Sequence, residues 1–111
     1  MAWKTVAKTI EFVDVSSRGF IVEDRPIMIS KLDGRFYAID AICPHKFGYL
    51  PMGSRNGDCI TCPAHFAEFD LRTGKMTKGR VSHASPDSLI EVEDLKSYEV
   101  VVEGEEIKIK I

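Results

Sequence analysis

The chain has 111 residues, 44% of them hydrophobic and 29% charged, the composition of one ordinary globular domain rather than of a disordered chain. Fifteen basic and seventeen acidic residues leave a net charge of −2, so there is no basic footprint for nucleic acid and no polybasic patch for a membrane surface. No apolar run approaches the roughly 18 residues that span a bilayer, and the start, Met-Ala-Trp-Lys-Thr-Val-Ala-Lys, lacks the apolar stretch of a secretory signal. The expectation is a cytoplasmic protein folded as a single domain, 1–111.

In chain order, alternating and β-branched residues predict strands at Thr5–Ala7, Phe20–Val22, Ile27–Lys31 and Phe36–Asp40. Further strands are expected at Cys59–Cys62, Glu68–Asp70, Ser97–Val102 and Ile107–Ile111. Asp33-Gly34 between the third and fourth is a hairpin signal, because a type I′ turn needs positive φ at both central positions. Arg72-Thr73-Gly74 and Glu103-Gly104 read as further turns. Ser85-Pro86-Asp87-Ser88 suits a short helical turn with Pro86 at its first position. No stretch beyond about ten residues keeps a helical period. The fold class is all-β. Gln is absent and Asn56 is the single Asn, a thinning of thermolabile amides found in proteins from hot environments.

The chemistry is concentrated in two short clusters. The chain has three cysteines and three histidines. An odd cysteine count without a secretory signal argues against a disulfide scaffold. Cys43-Pro44-His45 and Cys62-Pro63-Ala64-His65 hold four of these six side chains, with sixteen residues between the pairs. Both pairs lie at the ends of predicted strands, so two loops on one sheet would converge on a shared site. This is a metal-site pattern. Zinc accepts two Cys and two His, but its usual finger order places both cysteines first. One Cys and one His per loop suits a 2Fe–2S cluster in which one iron takes both thiolates and the other both imidazoles. A blue-copper site, with one Cys, two His and a weak axial ligand, fits less well.

Cys-Pro-His, sixteen residues, Cys-Pro-Ala-His and then Phe69-Asp70-Leu71-Arg72-Thr73-Gly74 resemble the two cluster-binding boxes of the Rieske family. Asp33-Gly34-Arg35-Phe36-Tyr37-Ala38-Ile39-Asp40 is similar to the strand leading into the first box. Leu95-Lys96-Ser97-Tyr98-Glu99-Val100, followed by Val102-Glu103-Gly104, is similar to the family's closing hairpin. The likeness runs from about Ile27 to Ile111 and is greatest to soluble bacterial and archaeal Rieske-type ferredoxins. It implies a β-sandwich or barrel base carrying a small cluster-binding subdomain, about 41–77, formed by two loops. It also implies that Cys43 and Cys62 hold the buried iron, while His45 and His65 hold the outer iron and face solvent with their second nitrogens. Titration of those nitrogens would couple reduction to protons only at alkaline pH.

Where this chain departs from high-potential members, the resemblance implies a lower potential. Those proteins brace the loops with a disulfide at positions that here are Gly48 and Ala64. They also place a Ser and a Tyr, donors to the sulfurs, at positions that here are Ala67 and Phe69. Donors to the sulfurs favour the more negative, reduced state, so their loss implies a potential near the bottom of the Rieske range, about −150 mV or somewhat above. The segment from Val81 to Asp94 is longer than the corresponding stretch of the family, where a proline loop covers the cluster. Pro86 is the residue available for that role.

Other chemistry-bearing residues have simpler readings. Cys59 is read as a small buried hydrophobe, His83 as an exposed titrating side chain, and Glu91, Glu93 and Asp94 as a solvated face. Phe47, Tyr49, Leu50, Pro51, Met52 and Phe66 surround the ligands with apolar bulk. Leu50 belongs to a small core, whereas Phe47 and Phe66 are candidates for a partner-docking surface. No nucleophile–base pair or phosphate loop is present, so the expected activity is electron transfer rather than enzymatic turnover. The donor implied is a flavin- or iron–sulfur-containing reductase and the acceptor a terminal oxygenase or other oxidoreductase, with the carrier acting as a monomer. Two further readings stand beside it: a small non-catalytic subunit of a larger enzyme, of the nitrite reductase type, and a zinc-stabilised interaction module.

Overall fold

The computed structural model describes residues 3–42, 48–63, 67–78 and 94–111. Within them the chain forms eleven strands: β1 (Trp3–Lys8), β2 (Ser17–Val22), β3 (Arg25–Leu32), β4 (Arg35–Asp40), β5 (Ser54–Asn56), β6 (Cys59–Thr61), β7 (Glu68–Asp70), β8 (Met76–Lys78), β9 (Ser97–Tyr98), β10 (Val100–Glu103) and β11 (Glu106–Lys110). Two 3₁₀ turns, Thr9–Phe12 and Leu50–Met52, complete the regular structure. The helical turn expected at 85–88 lies outside the described residues.

The strands make three antiparallel sheets, ordered β1-β11-β10, β2-β3-β4-β9 and β5-β6-β7-β8. The second is the middle layer. One buried cluster, containing Ala7, Phe12, Ile27, Ile29, Ala38, Tyr98, Ile107 and Ile109, joins it to the first sheet. A second cluster, containing Met28, Leu32, Ile39, Ile60, Phe69 and Leu71, joins it to the third. Strand β3 therefore faces a core on both sides, and Ile27, Met28, Ile29 and Ser30 are all buried in succession. Its near-continuous apolar run, Ile-Met-Ile, is the pattern of a strand covered on both faces rather than of one facing water. The polar exception, Ser30, exchanges a 2.8 Å hydrogen bond with Ser17 on β2, which keeps its buried hydroxyl paired.

Two arginines join the third sheet to the middle one. Arg55 on β5 donates to the carbonyls of Ser16 at 3.1 Å and Lys31 at 2.9 Å. Arg72 pairs with Asp58 at 2.7 Å, approaches Asp33 at 3.6 Å, and lies over the Tyr37 ring.

Turn chemistry is legible where both turn residues are marked. Asp33 and Gly34 have φ of 51° and 79°, as the type I′ reading requires. The β2–β3 hairpin has the same form without the signal, since Glu23 and Asp24 adopt φ of 49° and 65°. The turn expected at Glu103-Gly104 is shifted by one residue: Glu103 pairs with Glu106 and ends β10, leaving Gly104 and Glu105 as the turn. The single strand expected at Ser97–Val102 is two. It breaks at Glu99, where the chain leaves the middle sheet after pairing with β4 and joins β11 in the first. Strands β5 and β8 were not expected. Each is three residues long and too polar to show alternation.

Candidate metal centre

The first cluster of the sequence follows β4. Strand β3 pairs with β4 from Leu32↔Arg35 to Ile27↔Asp40, and the next rung would join Pro26 to Ala41. Half of that rung exists, with the Ala41 amide donating to the Pro26 carbonyl at 2.9 Å. The return bond is missing because proline has no N–H. The Ala41 carbonyl instead accepts from the Leu50 amide at 2.8 Å, and Ile42 forms an antiparallel bridge with Tyr49. A loop containing Cys43 and His45 is thus closed at its mouth by Ala41–Leu50 and Ile42–Tyr49. The tight 3₁₀ turn that follows, with Pro51 near its start, directs the chain on to β5.

The second cluster sits at the end of β6. The strand ends at Thr61 rather than Cys62 as expected, and the Cys62 amide makes the last bond of the β6–β7 ladder, to the Ala67 carbonyl at 2.8 Å. A second loop, containing His65, is closed by that pair.

The two loop mouths meet. Ala41 and Leu50 from the first, and Cys62 and Ala67 from the second, are all fully buried and belong to one apolar cluster with Ile39, Ile60 and Phe69. Alternation along β6 turns Ile60 and Cys62 inward and Cys59 the other way. Cys59 is half-buried, not buried as expected, with its sulfur 3.9 Å from the Thr77 hydroxyl. Burial pushes its thiol pKa up, opposed by the Thr77 hydrogen bond, so at neutral pH it is a protonated thiol on the outer face of the sheet.

Of the expected ligands, Cys62 is placed in this cluster; Cys43, His45 and His65 lie outside the described residues, as do Phe47, Phe66, His83, Pro86, Glu91 and Glu93. Leu50 is core as expected. Tyr49 and Met52 are exposed at 38% and 79% and place apolar surface beside the first loop. Asp94 is not merely solvated: its carboxylate accepts from the Met76 amide at 2.9 Å and supports the start of β8.

Three contributors carried no signal of their role in the sequence. Gly19 on β2 lies under the Tyr49 ring, so close that a Cβ there would overlap the phenol oxygen. Asp40, at the end of β4, accepts a 2.6 Å hydrogen bond from the Tyr98 hydroxyl. Burial, with Asp40 adding, raises the Tyr98 pKa, while the Arg25 guanidinium beside it pulls the other way.

The Cys62 thiol, the one expected ligand among the described residues, suits an iron–sulfur group. A cysteine thiolate is a soft ligand of the kind that holds Fe–S clusters. The Cys62 thiol is fully buried in one apolar cluster with Ile39, Ile60, Ala67 and Phe69, and an apolar shell of that sort tunes such a group.

This architecture is that of the Rieske proteins. The chain matches the Rieske [2Fe-2S] domain over residues 2–106 and belongs to that family, with one Rieske-type 2Fe–2S cluster as its cofactor and electron transport as its business. It is 32% identical to sulredoxin of Sulfurisphaera tokodaii over 90% of each chain. Among solved structures it resembles the ferredoxin of carbazole 1,9a-dioxygenase from Nocardioides aromaticivorans IC177, with a TM-score of 0.78 and 31% identity over 98% of this chain and 97% of that one. It also resembles a chain of the complex of reduced oxygenase and oxidized ferredoxin in carbazole 1,9a-dioxygenase, with a TM-score of 0.73 and 26% identity over 96% of this chain and 91% of that one. Among the described residues no helix is long and apolar enough to cross a membrane.

Proposed function

We propose that the protein is a cytoplasmic, monomeric one-electron carrier that takes an electron from a flavin- or iron–sulfur-containing reductase and passes it to a terminal oxygenase, without turnover of its own. In this reading Cys43 and Cys62 hold one iron, and His45 and His65 hold the other. The chain acts as one domain, with a cluster-binding part at about 41–77. The observation that carries it is the meeting of the two loop mouths, Ala41–Leu50 and Cys62–Ala67, in a single buried apolar cluster with the Cys62 thiol inside it. The likeness to a ferredoxin found in complex with its oxygenase supports the choice of acceptor.

The bound cluster supplies reversible one-electron chemistry. The protein's own side chains do the rest. Phe69, Leu71 and Ile60 pack in one cluster with Cys62 and exclude water from it, and the loop mouths would fix how far each ligand pair stands from the base. Tyr49 and Met52 offer exposed apolar surface beside the loops, of the kind a transient redox partner covers.

The test is a visible and low-temperature EPR spectrum of the purified protein before and after dithionite, with iron and zinc assayed. A coloured protein that bleaches and shows a rhombic signal supports the reading. Zinc in a colourless sample refutes it. Cys43→Ser, Cys62→Ser, His45→Ala and His65→Ala should each abolish the signal, whereas Cys59→Ser should keep the full iron content. Rapid reoxidation of the reduced protein on mixing with a Rieske oxygenase would support the acceptor.

A further inference from the structure

Beside the start of the first loop the protein surface is indented. A cavity of about 290 Å³ opens there, lined by Asp24, Arg25, Pro26, Asp40, Ile42 and Tyr98. The chain from Asp40 to Ile42 forms one wall, and Cys43 follows it directly. Strand β9 pairs with β4 at Ala38 and Ile39, and the bond from the Asp40 N–H to the Lys96 carbonyl at 2.9 Å carries that register to the edge of this wall. Beyond it the wall is held by the Ala41 N–H to Pro26 at 2.9 Å and by the Tyr98 hydroxyl to the Asp40 carboxylate at 2.6 Å.

We propose that Tyr98 is a positioning residue for the first ligand loop, holding the chain before Cys43 through its hydrogen bond to Asp40. The inference rests on the ligand set proposed above. The Tyr98 ring is buried in the core between the first and middle sheets, so its hydroxyl is a fixed point set by packing. A hydroxyl-to-carboxylate bond of this length is charge-assisted and stronger than a neutral one. Without it, the carboxylate has a cavity to move into and the positive charge of Arg25 to draw it there. The strand end would then sample two positions, and the ligands beyond it would follow. Groups that orient metal ligands from outside the first shell act in this way.

The holoprotein carrying Tyr98→Phe tests this, because the substitution keeps the buried ring and removes only the hydroxyl. Iron content should stay at the wild-type level, while the EPR lines of the reduced protein broaden and the Ala41 amide exchanges roughly tenfold faster, the scale of losing one hydrogen bond to a charged group. Asp40→Asn keeps an acceptor oxygen and should retain the wild-type line shape. If Tyr98→Phe fails to fold, Asp40→Ala leaves the core intact and should show the same broadening and faster exchange. Wild-type line shape and Ala41 exchange in Tyr98→Phe, with only a lower melting temperature, would overturn the proposal by reducing the hydroxyl to a structural contact. Failure of the ligand set reads out separately, as a Cys43→Ser protein that keeps its full iron.

Discussion

Pro26 and Ala41 face each other across β3 and β4 as half a pair: the Ala41 amide reaches the Pro26 carbonyl at 2.9 Å, and proline offers nothing in return. The unused Ala41 carbonyl is what Leu50 takes to close the first loop. A donor at position 26 would compete with Leu50 for that oxygen. Pro26→Ala should therefore speed exchange of the Leu50 amide and lower stability. The loss of proline alone contributes about 0.4–1 kcal/mol through the unfolded chain, or a melting point lower by several degrees. Amide exchange and a thermal melt on the same sample would check both.

Gly19 is required for space. A side chain there would meet the Tyr49 oxygen and, at 3.1 Å, the Pro51 ring. Gly19→Ala should push Tyr49 away from β2 and cost about 1–3 kcal/mol, the usual range for overpacking a filled site. Tyr49→Phe in the same chain should recover part of the loss, because the worst overlap is with the phenol oxygen. Denaturant melts of the two single variants and the double variant would measure that coupling.

Ala67 and Phe69 are fully buried in the cluster that contains Cys62, and neither carries a donor. Restoring one should stabilise the reduced state. A net hydrogen bond of about 1 kcal/mol corresponds to roughly 40 mV for a one-electron couple. Ala67→Ser, the smaller change, should raise the potential by about that amount from the expected value of about −150 mV or somewhat above. Protein-film voltammetry of the two proteins would check it; an unchanged potential would show that the new hydroxyl does not reach a sulfur.

The raised pKa of Tyr98 sets a limit to alkaline stability. Its folded pKa lies above the unfolded value of about 10, owing first to burial and then to Asp40. Above pH 10 the unfolded chain loses this proton while the folded one keeps it, so the contribution is complete below that pH and is lost as pH rises through the folded value. Melting temperatures of the wild type should fall beyond pH 10 more steeply than those of Tyr98→Phe. Equal slopes would mean that another group governs the decline.

What the sequence disclosed follows from how local each feature is. The Asp33-Gly34 turn, the β3 and β4 runs and the paired Cys and His spacings are written in neighbouring residues, and they are readable there. The break at Glu99 is not, because Ser97-Tyr98 and Val100–Glu103 share one β-rich stretch whose division between two sheets depends on partners far away in the chain. The Glu23-Asp24 hairpin lacks the glycine that would announce it, and tertiary pairing holds both residues at positive φ. Cys59 looked like a core residue by type; its place one residue before the inward-facing Ile60 puts it on the other face. Asp40 and Tyr98 were visible as residues, but their contact spans 58 positions and no local pattern records it.

Strand β3 gives Ile27 and Ile29 to one core and Met28 and Leu32 to the other. The two cores therefore cannot melt independently, since disordering either one withdraws a wall from its neighbour. The fold is in this respect a single thermodynamic unit: heat that loosens the β1-β11-β10 side, across the middle sheet from Cys62, also undoes the loop mouths at the other end in the same cooperative step.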